Sequence, residues 1–160
     1  MRRPAIVFAL SIALRSALAA PLAGCTKGAT PDQAALRAED RRVLERVIAL
    51  DVLASRAMRD ADAATGEGDA GAAVVIAEGR AKRVIDEALG AADAATPRSD
   101  WGRAKRDELL GILHDRKAEL PRYVEAVKGG DPERALAAIE AQAAIERRAL
   151  ATVAAVNEGR

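Results

Sequence analysis

The sequence predicts an all-α fold, an up-down-up-down bundle of four long amphipathic helices, and three observations predict it. Apolar residues recur at spacings of three and four through most of 31–160, and no strand-like alternation interrupts them. Three segments open with a capping side chain followed by proline, the arrangement that starts helices. Alanine supplies a quarter of the 160 residues, and with leucine, arginine and glutamate it belongs to the strongest helix formers. Arginine outnumbers lysine 20 to 5, and GC-rich coding accounts for both excesses without any functional demand.

The first helix is expected from Pro31 to about Ala64. Thr30-Pro31-Asp32-Gln33 supplies the cap, the proline at N1 and Gln33 at N3, which completes a capping box. Its apolar stripe is Leu36, Val43, Val47, Leu50, Ala54 and Ala57, widened by Leu44, Ile48 and Leu53. Thr65-Gly66-Glu67-Gly68-Asp69-Ala70-Gly71 breaks the pattern, with Asp69 placed to cap the next helix. Helix two carries Val74, Ala77, Ala81, Val84, Ile85, Ala88 and Leu89 on one face, with Gly90 as its end or a weak last turn.

Helix three is expected to start at Thr96-Pro97 and to turn Leu109, Leu110, Leu113, Leu120, Val124 and Val127 inward until Gly129-Gly130. Pro121 removes one intrahelical hydrogen bond, which predicts a kink or a split near Leu120. Helix four begins at Asp131-Pro132-Glu133 and carries Leu136, Ile139, Ala143, Leu150 and Val153. Short joins make neighbouring helices antiparallel, hence the bundle.

Residues 1–24 carry a different pattern: a basic start at Arg2 and Arg3, an apolar run from Ala5 to Leu14, then Leu22-Ala23-Gly24 ahead of Cys25. A run of ten residues is too short to span a bilayer and fits an export signal. Leu22-Ala23-Gly24-Cys25 resembles the lipobox of bacterial lipoprotein precursors. The resemblance implies that the signal is removed, that Cys25 is lipidated and becomes the first mature residue, and that 25–30 form a tether to the membrane. It also implies the periplasmic face of the cell envelope, with Thr26 leaning to the outer membrane. Arg15 interrupts the apolar run, and Ala17-Leu18-Ala19 offers an alternative cleavage site that would leave a soluble chain.

Removing the signal takes three of the 25 basic residues with it and leaves 22 against 24 acidic ones, a net charge of −2. That balance speaks against nucleic acid, which needs a basic stripe. Beyond Phe8 the aromatic residues are Trp101 and Tyr123, so an aromatic-lined pocket for a small-molecule substrate is not expected. His114 is the one histidine, which cannot supply the paired Glu-x-x-His motifs of a di-metal bundle. A haem held by Met58 and His114, a calcium loop around Asp60, Asp62, Glu67 and Asp69, and a nucleophile at Ser55 or Ser99 all lack a supporting motif. Neither a metal site, a cofactor nor a catalytic residue is expected.

Trp101, near the start of helix three, is the candidate anchor for a partner. The expected function is that of an envelope lipoprotein serving as a helical structural or interaction module for another envelope protein or a second copy. A periplasmic helical chaperone or stress sensor is the alternative, and an enzyme stands third.

Overall fold

The computed structural model describes residues 31–160, and those residues are all-helical. The signal, Cys25, the tether and the Thr30 cap fall outside the described residues. Four helices follow one another: α1 Pro31–Gly66, α2 over 70–94, α3 Asp100–Gly129 and α4 Pro132–Glu158. Within α2 a π-helical stretch, Ile76–Ala81, joins Ala70–Val75 to Lys82–Ala94. Among the described residues no helix is long and apolar enough to cross a membrane.

The helix ends follow from local chemistry. Asp69 caps α2 by accepting the Ala72 N–H at 2.8 Å, and Asp131 caps α4 by accepting from Glu133 and Arg134. Gly130 closes α3 at φ 63°, a left-handed conformation that a side chain would resist. Helix α2 runs through Gly90 to Ala94.

Helix α3 starts later than the sequence suggests. Its cap is Ser99, whose Oγ accepts the Gly102 N–H at 3.0 Å, and Thr96-Pro97 belongs to the preceding loop. Asp40 of α1 causes the shift. Its buried carboxylate accepts the N–H of Arg98 at 2.6 Å and of Ser99 at 2.9 Å, together with the Ser99 hydroxyl, and so holds 98–99 in a loop. Pro121 does not split α3, which continues to Gly129 with the proline on its exposed side.

One core cluster joins α1, α2 and α3 and receives Ala138 and Val156 from α4. Leu44, Val47, Met58, Ile85, Leu109, Leu113 and Tyr123 give it volume, and alanines fill much of the rest. Ile112, Ile145 and Ala149 form a second, smaller cluster between α3 and α4. Most expected inward residues of α2 and α3 are buried, with Val74 and Leu110 half-buried; on α1 Leu44, Val47, Ala54 and Ala57 are buried, Val43, Ile48 and Leu50 are half-buried, and Leu36 and Leu53 are exposed.

Helix α4 is rotated from expectation. It buries Ala138, Gln142, Ile145, Ala149, Thr152 and Val156, and leaves Leu136 and Leu150 58% and 60% exposed. Ion pairs flank the buried stripe, Arg148 with Asp115 of α3 on one side and Glu146 with Arg59 of α1 on the other. Small alanines at 138 and 149 let the helix approach its neighbours closely.

Further polar contacts join the helices. Arg80 of α2 pairs with Asp60 of α1, Lys117 and Lys128 of α3 pair with Asp86 and Glu78 of α2, and Arg41 of α1 donates to the Val156 carbonyl of α4 at 3.0 Å. At the centre Arg116 of α3 donates to Asp51 at 2.8 Å and to Ser55 at 2.6 Å, both on α1. All three side chains are buried.

Gly102 is where this packing tolerates least. A Cβ there would stand 2.6 Å from Asp40 Cγ and 2.7 Å from Pro97 Cβ. Gly102→Ala is therefore expected to lower unfolding free energy by about 1–3 kcal/mol through overpacking. Urea denaturation of the two proteins checks this, and an unchanged midpoint would contradict the geometry.

Candidate functional site

Trp101 sits in the first turn of α3, beside the Asp40-held loop. Its indole N–H donates to the Arg160 carbonyl at 2.7 Å, and the Arg37 guanidinium lies 5.8 Å from the ring centroid, a cation–π distance. Arg37 also donates to the Gly159 carbonyl at 2.8 Å. These bonds gather the start of α1, the 95–99 loop and the last turn of α4 into one end of the molecule. A cavity of about 300 Å³ opens there between Leu36, Arg37, Arg98, Asp100, Trp101 and Arg103. Burial works to raise the Asp40 carboxyl beneath it, but the Ser99 hydroxyl, the Arg98 and Ser99 N–H groups and the Arg103 charge outweigh burial and hold it below its ordinary value.

The other candidate residues are not brought together into a reactive site. Ser55 is buried and accepts from Arg116, an obligate cation that cannot serve as its base. His114 lies on the exposed side of α3, whereas Met58 is in the core. Asp60 pairs with Arg80 across the α1–α2 contact and Asp69 caps α2, so these carboxylates serve packing and capping. Among the described residues no three acidic, histidine or cysteine side chains gather as metal ligands.

A buried polar layer passes through the core between α1, α3 and α4, and apolar periodicity gives no sign of it. Tyr123 Oη lies 2.8 Å from Thr65 Oγ1, which donates to the Ala61 carbonyl at 3.0 Å. Burial pushes the Asp62 carboxyl up to about 6; the Glu146 charge adds to this, and the Tyr123 hydroxyl opposes it. Asp62 Oδ1 and both polar atoms of Gln142 are buried without a hydrogen-bond partner in the protein.

A larger opening, about 410 Å³, lies between α2 and α3 beside the π-helical stretch. Ile85, Leu120, Pro121 and Val124 form its apolar floor. Lysines 82, 117 and 128 line its rim alternately with Glu78, Asp86 and Glu125. Asp86 accepts from both Lys117 and Lys82, which draw its carboxyl below its ordinary value. Sequence periodicity marks Ile85, Leu120 and Val124 as core, and the opening lies where α2, at its π-helical stretch, faces Pro121 of the continuous α3, which no spacing rule displays.

No protein family, curated protein or solved structure matches the chain, so its own chemistry must carry the functional reading. Two surfaces stand out: an end bearing Trp101 and arginines, and an apolar groove with a charge-balanced rim.

The Asp62 carboxyl gives a pH test. Its folded value lies above its unfolded one, so the native state binds the extra proton between about pH 4 and 6, and stability falls as pH rises through that range. Asp62→Asn is expected to match the wild type near pH 4 and to melt a few degrees higher at pH 8. Thermal melts across that range check the sign. A variant less stable than the wild type at pH 8 would show that the ionised carboxylate is needed.

Proposed function

We propose that the chain is the precursor of an exported lipoprotein. Its mature part, held by lipid on Cys25, is a non-enzymatic interaction module of the cell envelope. In this reading residues 31–160 form an up-down-up-down four-helix bundle, with α3 kinked at Pro121. Two sets of contacts support that topology. Between α2 and α3, and between α4 and each of α1 and α3, residue numbers rise on one helix as they fall on the other, as in Glu78–Lys128 with Asp86–Lys117. Between α1 and α3 they rise together, from Asp40–Ser99 through Asp51–Arg116 to Thr65–Tyr123.

The observation that carries the interaction role is the second apolar face of α4. Leu136 and Leu150 are more than half exposed although they stand at helical spacing with Ile139, Ala143 and Val153, and Val52 of α1 is 43% exposed on a helix joined to α4. Large apolar side chains left outside a close-packed helical core are suited to another surface. The occupant is an envelope protein or a second copy of the chain.

A second reading, a periplasmic helical chaperone or stress sensor, draws on the apolar floor of the α2–α3 groove. Photo-crosslinkers at Leu150 and at Val124 separate the two. The interaction module predicts one discrete adduct from Leu150, with the envelope partner or a second copy. The chaperone predicts a spread of client adducts from Val124. Metabolic labelling with palmitate is expected to mark the chain and to be lost in Cys25→Ala; an unlabelled wild type recovered in the soluble fraction would contradict the anchor.

A further inference from the structure

The tether sets which end of the molecule meets the bilayer. From Cys25 to Pro31 is six residues, which reach at most about 20 Å fully extended. If Cys25 carries lipid, the first turns of α1 are held within that distance of the headgroups. The same end holds the 95–99 loop and the last turn of α4, through Trp101–Arg160 and Arg37–Gly159.

We infer that the Trp101 end docks on the surface of an anionic phospholipid bilayer, with a headgroup phosphate taken between Arg98 and Arg103 and the indole at headgroup level. This inference rests on the proposed lipid anchor and names the surface that the anchored module faces. Three observations carry it besides the tether. Three arginines and a single carboxylate line the 300 Å³ cavity itself, while the charges of Glu39 and Asp40 stand behind Arg98 and Ser99. The arginine side chains extend into water, 70% exposed at Arg98 and 48% at Arg103, where phosphates can replace Glu39 and Asp100 as their partners. Apolar surface from Leu36, 37% exposed, lines the same cavity as the half-buried indole, whose N–H is fixed on Arg160. Such amphipathic rings settle at the bilayer interface, and basic side chains beside them are drawn to anionic lipid.

The chain's one tryptophan is at this site, so its fluorescence reads docking directly. The full chain, purified with its anchor, is reconstituted into phosphatidylglycerol-containing vesicles whose lipids are brominated near the headgroup end of the acyl chains. The expected result is loss of Trp101 emission relative to unbrominated vesicles. The loss should shrink in purely zwitterionic vesicles and in an Arg98→Gln/Arg103→Gln variant whose helical circular dichroism is unchanged. Intact mass reports the lipid separately. A lipidated chain whose emission ignores bromination overturns the docking alone, as does equal quenching in anionic and zwitterionic vesicles. A mass without lipid overturns the anchor, and the docking with it.

Discussion

Arg116 is 1% exposed and meets Asp51 and Ser55, themselves buried, across the centre of the molecule, and the register of α1 against α3 depends on that contact. The reason lies in what surrounds it. Much of the core is alanine, at 54, 57, 61, 73, 77, 81, 88 and 92 among others, and a methyl group buries little area to reward one helix offset over another. On α1 the buried apolar residues beyond Val47 are Ala54, Ala57, Met58, Ala61 and Ala64, so a slide by one turn would mostly set one alanine in place of another against the large residues of α3, at modest cost. It would also strand a guanidinium and a carboxylate in the core, which costs several kcal/mol. Apolar burial therefore drives association, and the buried ion pair selects the arrangement.

Asp40 extends the same logic to the ends. It replaces water for two loop N–H groups and the Ser99 hydroxyl, and the absent side chain of Gly102 makes room for it. With Asp51–Arg116 and Thr65–Tyr123 it gives three polar contacts between α1 and α3 along their length. The Trp101 end inherits its geometry from this chain of contacts. Both surfaces proposed to act in binding, the tryptophan end and the outer face of α4, are what remains after the register is set.

Legibility in the sequence divides along the same line. Helix number, the Asp69 and Asp131 caps, the Gly130 stop and the inward faces of α2 and α3 are readable because large apolar residues and turn chemistry agree there. The face of α4 is not, because alanine occurs all around that helix and the leucines at 136 and 150 outweigh, by hydrophobicity, the Gln142 and Thr152 that are buried. The start of α3 differs from its local signal because Asp40, 57 residues before Pro97, decides it. A signal for the buried pair does exist: Asp51 stands between Val47 and Ala54, and Arg116 between Leu113 and Leu120, each at an inward position. Opposite charges in the middle of two apolar stripes announce a pairing. Nothing in the sequence displays the groove between α2 and α3, and the Trp101 end is marked in it only by the chain's single tryptophan.

The measurement that tests this account most directly is a double-mutant cycle at Asp51 and Arg116, using Asp51→Leu, Arg116→Met and the pair, followed by urea unfolding. Each single variant leaves an unpaired buried charge and is expected to lose about 3–5 kcal/mol, whereas the double variant recovers most of that loss. The recovered protein should also show a broadened amide spectrum, because its alanine-rich helices no longer have one preferred offset. Additive losses, with a double variant that keeps a single sharp native spectrum, would contradict the claim that this contact sets the register.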